Sequence, residues 1–221
     1  MNRALVSCVL LSLVASCGLA ADEPWTSLFD GKSLDGWTTA AGKPVTAGWQ
    51  AEDGVLHRAA RGGDIYTAKE YGDFELQFEW KISPKGNSGL KYRVTKFGNS
   101  LLGMEYQVLD DGEHADGKKP GGKNSAASMY DILAPNDSKK LKPVGEWNTA
   151  RVVAKGNKIE HWLNGEKIID VDTASDSFQQ ALARSKFAKY KGFARQPSGR
   201  IMLQDHGNEA WFRNLKIREL K

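Results

Sequence analysis

Glu79, Arg93, Glu105 and Gln107 fall in the middle of the chain, in segments that alternate between apolar and polar residues, and Gln204, His206, Arg213 and Asn214 flank a turn near its C terminus. These side-chain types can do acid–base chemistry. A carboxylate or imidazole takes and returns a proton, a guanidinium stabilises negative charge as it develops, and amides hold the hydroxyl groups of a hydroxyl-rich ligand. Each also has a structural use. Glu79, Arg93 and Glu105 could pair across strands on a wetted sheet, and Arg213 and Asn214 could tie their turn to the preceding strand.

The elements that would present these residues are extended. Phe74, Leu76, Phe78 and Trp80 alternate with Glu75, Gln77, Glu79 and Lys81, the period-two pattern of a half-buried strand. After the turn at 84–89, Tyr92 and Val94 stand opposite Lys91 and Arg93; then Met104, Tyr106 and Val108 stand opposite Glu105 and Gln107. Three successive strands are thereby expected to share a polar face bearing Glu79, Arg93, Glu105 and Gln107. Asp53-Gly54 and Asn164-Gly165 predict tight hairpins. Residues 126–133 read as a further strand carrying Tyr130, and 201–203 and 211–217 as a hairpin closing a sheet around 205–208. His161, between Ile159 and Leu163, falls on an apolar face where a hydrogen-bonded structural histidine is expected. A short helix is expected within 177–189, capped by Asp176 or Ser177, with Arg184, Lys186, Lys189 and Lys191 as a solvated basic face.

The sequence contains no internal repeat and no interdomain linker. Many short strands with turn signals predict an all-β, two-sheet antiparallel sandwich in a single domain, residues 22–221. A net charge of +4, with 31 basic residues spread among 27 acidic ones, provides no basic stripe for nucleic acid. Both cysteines, Cys8 and Cys17, precede the domain, which removes thiol chemistry from its site. Residues 1–21 have the charged start and short apolar run of an export signal. The stretch 14–17, Val-Ala-Ser-Cys, resembles a bacterial lipobox that would make Cys17 a lipid anchor; cleavage near Ala20 or Ala21 is the alternative. A periplasmic or outer-membrane lipoprotein is therefore expected.

The segment 110–124 is a long loop rich in Gly, Asp and Lys. Asp110, Asp111, Glu113, His114 and Asp116 could hold a divalent cation, but their spacing matches no ligand motif, and a solvated loop with no cofactor is expected.

The motifs LFDGKSLDGW (28–37), NSGLKYR (87–93), GMEYQVLD (103–110), EWNTARV (146–152), HWLNGE (161–166) and IMLQDHGNEAWFRNLKI (201–217) resemble, in order and spacing, the 3-keto-disaccharide hydrolase family. The resemblance spans about residues 25–220. It implies the jelly-roll sandwich of concanavalin A-like lectins and glucanases. It also implies glycoside substrates already oxidised at C3 by a partner oxidoreductase, cleaved by hydrolysis or by elimination across C1 and C2 followed by hydration. A C3 ketone acidifies the C2 proton, so a base removes it while an acid protonates the departing C1 oxygen. Side-chain chemistry and strand parity then allot roles: Glu105 or His206 as base or acid, Arg93 as enolate stabiliser, and Glu79, Gln107, Tyr130 and Gln204 as substrate-binding residues. The rival is a non-catalytic carbohydrate-binding module, because this sandwich also serves lectins.

Overall fold

The computed structural model describes residues 24–221, so the expected leader and lipid-anchor cysteine, Cys17, lie outside the described residues. Chain order is β1 (Thr26–Ser27), β2 (Trp37–Thr38), β3 (Trp49–Glu52), β4 (Val55–Arg58), β5 (Ile65–Tyr71), β6 (Phe74–Ile82), β7 (Asn87–Phe97), β8 (Ser100–Leu109), β9 (Asn148–Lys155), β10 (Lys158–Leu163), β11 (Glu166–Asp172), α1 (Asp176–Ala183), β12 (Gly199–Leu203) and β13 (Ala210–Glu219). The strands form two antiparallel sheets. The larger runs β11-β10-β9-β6-β13-β4-β3, with β1 also on β13, and the smaller runs β2-β5-β12-β7-β8.

Period-two alternation builds the core between them. Phe74, Leu76, Phe78 and Trp80 of β6 face Leu90, Tyr92, Met104 and Tyr106 of β7 and β8, all nearly inaccessible to water. Phe78 meets Tyr106 edge-on at 5.3 Å, and Phe74 meets Tyr92 at 6.2 Å. The two expected hairpins form. Asp53 and Gly54 (φ 48° and 78°) join β3 to β4, and Asn164 and Gly165 (φ 50° and 90°) join β10 to β11, the left-handed pair that matches strand twist.

His161 is the structural histidine its position implied. It is fully buried, with Nδ1 3.1 Å from the Ala127 carbonyl and Nε2 2.9 Å from the Tyr92 hydroxyl. The carbonyl fixes Nδ1 as donor, so Nε2 accepts from Tyr92. Burial lowers its pKa from 6.5 to about 4. The unfolded chain therefore binds this proton below pH 6.5 while the native protein refuses it until about pH 4. Stability should fall as pH drops through that window, by on the order of 3 kcal/mol from this group, and change no further from it below the window. Urea midpoints measured between pH 7 and pH 4 check this, and His161→Gln should flatten that part of the profile.

The structure corrects the expected topology in three places. Strands β12 and β13 are not a hairpin: β12 lies in the smaller sheet and β13 in the larger, so the turn after Leu203 carries the chain across the sandwich. The turn after Ile82 does the same between β6 and β7, which removes Glu79 from the face shared by β7 and β8. Residues 126–133 are turns joined by isolated bridges of Met129 to Tyr106 and Leu133, because Ala127 and Asp131 adopt φ near +63° and +62° and interrupt extension. Their backbone still covers the open edge of β8: Ala127 N–H donates to the Gln107 carbonyl (2.7 Å) and Tyr130 N–H to that of Glu105 (3.1 Å). The helix is capped by Ser175, whose hydroxyl accepts from the Phe178 N–H, one residue before the expected cap.

Candidate active site

The outer face of the smaller sheet gathers the titratable groups. Glu105 on β8 lies opposite Lys91 on β7, and Lys91 Nζ stands 3.5 Å from Glu105 Oε2. The Glu105 side chain is only 4% exposed because it lies over Gly89, where a Cβ would come within 2.5 Å of Oε1. A residue without a side chain is thus what lets the carboxylate rest on the sheet floor. Gln107, with its amide nitrogen turned inward, donates to Glu105 Oε1 at 3.2 Å and to the Ser88 carbonyl at 2.7 Å. The Gln204 backbone continues the floor: its N–H donates to the Gly89 carbonyl (2.9 Å) and its carbonyl accepts from the Ser88 hydroxyl (2.8 Å). Gln204 Oε1 is buried without a partner. An acceptor left in that condition suits a hydroxyl donor from a ligand.

Groups that the alternation did not single out complete the site. Asp64 precedes β5 and accepts from the Asp205 N–H at 2.9 Å. Burial raises its pKa, aided by the Asp205 charge and opposed by that N–H and by Lys91. Asp205 is itself held by Arg58 at 2.6 Å and by the N–H groups of Gly62 and Gly63 at 2.8 Å, which locks the loop carrying Asp64. From the other side Lys186 lies over the Tyr130 ring at 4.2 Å, and its backbone N–H donates to Asp131 at 2.7 Å. Its surface is substantially open, yet burial of the ammonium lowers its pKa, with the Glu105 charge opposing. Lys186 thus keeps the exposure expected of the basic face, with its ammonium laid over Tyr130. The Tyr130 hydroxyl donates to Asp116 at 3.0 Å, and its pKa is raised by burial and by that carboxylate. His206 is exposed at the rim, edge-on to His114 at 6.4 Å.

Glu105, Gln107, Tyr130, Gln204 and His206 thus lie on or around one face, while two expected site residues lie elsewhere. Glu79 is on the outer face of the larger sheet, with Oε2 accepting from Arg213 Nε at 2.8 Å and Oε1 from the Asn214 amide at 2.6 Å. Arg213 and Asn214 therefore have a structural role, tying β13 to β6 rather than their turn to the preceding strand. Arg93 sits at a bulge in β7 with φ 49°, where the chain flips parity, so that Val94 joins Tyr66 and Met202 on the outer face. Its guanidinium is spent on Gly72 O (3.1 Å), Gly156 O (2.8 Å) and Asp73 (2.8 Å), and it is 4% exposed. Arg93→Met should cost about 3 kcal/mol by leaving these acceptors unpaired, with little loss of activity per folded molecule. Chemical denaturation paired with active-site-normalised turnover checks this.

The acidic loop spends its carboxylates on its own architecture. Asp110 accepts from the N–H groups of Lys85, Gly112 and Glu113, and Asp111 pairs with Lys139 at 2.5 Å and takes the Ala126 N–H. Among the described residues no three His, Cys, Asp or Glu side chains gather as a metal set.

A cleft of about 850 Å³ opens on the opposite face, beside Glu79. It is a poorer place for proton transfer. Glu79 there is filled by Arg213 and Asn214, and Glu75 beneath it by Arg218 (2.6 Å) and Arg151 (3.3 Å). Among the described residues, the face of the smaller sheet brings together a raised carboxyl, a carboxylate against a lysine, and a lysine depressed by burial.

A jelly-roll sandwich whose open face carries acids, bases and amide hydrogen-bonding groups is that of a carbohydrate-active enzyme. The chain belongs to the 3-keto-alpha-glucoside-1,2-lyase-like domain family, whose model matches residues 24–218. It is 33% identical to a 3-keto-disaccharide hydrolase of Bacteroides thetaiotaomicron, over 90% of this chain and 79% of that one. A crystal structure of a proposed glycosyl hydrolase from Parabacteroides distasonis superimposes with a TM-score of 0.80 at 33% identity, over 89% of this chain and 94% of that one. The apo structure of the transglycosylase Crh5, 13% identical, shares the sandwich alone, with a TM-score of 0.50 over 92% of this chain and 87% of that one.

Proposed function

We propose that this enzyme cleaves glycosides whose glucose ring carries a ketone at C3, by elimination across C1 and C2 followed by hydration. The observation that carries the reading is the Glu105 carboxylate laid over Gly89 with Lys91 at 3.5 Å and a pKa-raised Asp64 on the far side of Lys91. The family description and the name of the Bacteroides relative support the substrate class.

In this reading Glu105 takes the C2 proton and the C2–H electrons pass into a C2–C3 enolate, whose collapse restores the C3 ketone, forms the C1–C2 double bond and breaks the C1–O bond. Lys91, in place of Arg93, stabilises the enolate oxygen that develops at C3. Asp64, whose pKa is raised by burial, supplies the proton to the departing oxygen. Gln107 orients Glu105, and Gln204 and Tyr130 hold sugar hydroxyls. Water then adds across the double bond to give the free keto sugar.

The N-terminal segment is taken as an export leader that ends just before Cys17, Cys17 as a lipid anchor, and a sugar 3-oxidoreductase as the partner that supplies the ketone; the charged start and apolar run support the first of these.

Incubation of the purified protein with a 3-keto-glucoside and with its unoxidised parent, in deuterated water, tests the reaction. Aglycone should leave only the keto sugar, and the released sugar should carry deuterium at C2. Equal release from the parent would overturn the reading, and release without C2 deuterium would replace elimination by direct hydrolysis.

A further inference from the structure

The cleft on the larger sheet has a built floor that the reaction does not use. Strand pairing sets Trp162 beside Arg151, Arg151 beside Gln77, and Gln77 beside Lys216, so β10, β9, β6 and β13 place four side chains in one row on the outer face. At the usual spacing between strands the row is about 14 Å long. It is closed at each end by an indole. The Arg151 guanidinium stacks on Trp162 at 3.8 Å, and Trp25 lies against the Lys216 and Arg218 cations at 4.9 and 5.0 Å. Thr149 and Asn214 add hydroxyl and amide groups to the lining.

Volume, charge and chemistry together narrow the ligand. About 850 Å³ is within the range of sites that enclose small molecules and oligosaccharides. The charges lining the cleft cancel, Asp30 and Glu79 against Arg151 and Lys216, which favours an uncharged ligand. Both acids are already engaged: Asp30 accepts from the Lys32 and Ser33 N–H groups, and Glu79 from Arg213 and Asn214. The cleft therefore holds no free base. Indole walls around a floor of planar hydrogen-bonding groups match the apolar faces and equatorial hydroxyls of a pyranose.

We propose that this cleft is a second, non-catalytic site that binds a neutral oligosaccharide on the side of the molecule opposite the Glu105 face. Occupancy would hold the enzyme on a glycan while the other sheet processes oxidised glycosides, and it does not depend on what the Glu105 face does. Bound saccharide would also raise stability by mass action without touching turnover.

Titration of the purified protein with cellotriose, maltotriose and laminaritriose, followed by calorimetry and by the indole N–H resonances of Trp25 and Trp162, tests the site. At least one trisaccharide should bind and shift both resonances. Trp162→Ala and Gln77→Ala should each weaken binding tenfold or more while leaving turnover of a small 3-keto-glucoside unchanged, and Glu105→Gln should bind the trisaccharide as the native protein does. Gln77→Ala removes a floor contact without disturbing the stacked indole, so a folding defect in Trp162→Ala does not blunt the test. No binding by any of the three sugars, or binding lost in Glu105→Gln and kept in both cleft variants, would overturn the proposal.

Discussion

Glu105→Gln should lower turnover of a 3-keto-glucoside by about 10³-fold, in the middle of the range that general-base catalysis supplies. The substitution keeps the volume of a side chain that is 4% exposed, and its amide oxygen can still accept from Gln107. What it loses is the capacity to take a proton. Lys91, 15% exposed, loses its anionic partner at 3.5 Å, so a modest fall in stability of about 1 kcal/mol is expected alongside. Because the loss is in the proton-transfer step, kcat should carry the effect and KM should stay within a few-fold. Loss of C2 deuterium uptake should parallel the loss of aglycone release. Steady-state kinetics with a thermal melt of the same preparation decide the matter; turnover within a few-fold of native would remove Glu105 from the mechanism.

The parts of this arrangement differ in how plainly the sequence displays them. Alternation in 74–81 and 104–108, and the Asp-Gly and Asn-Gly turns, specify strands and hairpins locally, and the antiparallel sandwich follows from them. Which sheet a strand joins is not local. Turns after Ile82 and Leu203 carry the chain between sheets with the same Gly, Asn and Asp residues that would close a hairpin, so local pattern groups Glu79 with Glu105 although they face opposite ways. Parity also failed at Arg93, where a left-handed bulge turns one polar position into an anchor and the next apolar position outward. Glu105 and Gln107 are legible because 104–108 of β8 alternates cleanly. Lys91 carried a signal that was available, since it alternates with Leu90 and Tyr92. Asp64 and Lys186 carried none: one precedes a strand, the other follows a helix, and only tertiary packing brings them to the same face.

Gly89→Ala should lower kcat by about 10²-fold in a protein that remains folded. The added Cβ would lie 2.5 Å from Glu105 Oε1, closer than such atoms approach, and a tight 3.1 Å from its Cδ. Two things could yield, the strand or the side chain. The strand is held on both sides, by pairing of Gly89 with Gln107 and by the Gln204 N–H on the Gly89 carbonyl at 2.9 Å, whereas the carboxylate hangs at the end of a flexible side chain. Glu105 therefore moves, away from Lys91 and Gln107. A displacement of about 1 Å in a catalytic group is enough for a hundredfold loss. Stability should change by no more than about 1 kcal/mol, because replacing glycine also reduces the freedom of the unfolded chain. Gly199→Ala supplies the contrast. Its Cβ would meet backbone atoms of Arg93 and Val94 at 2.4 and 2.6 Å, where nothing flexible can give. That variant should lose about 3 kcal/mol of stability and keep its turnover per folded molecule. Kinetics and denaturation of the two variants side by side separate the roles; equal activity losses in both would mean that Gly89 serves the sheet and not the position of Glu105.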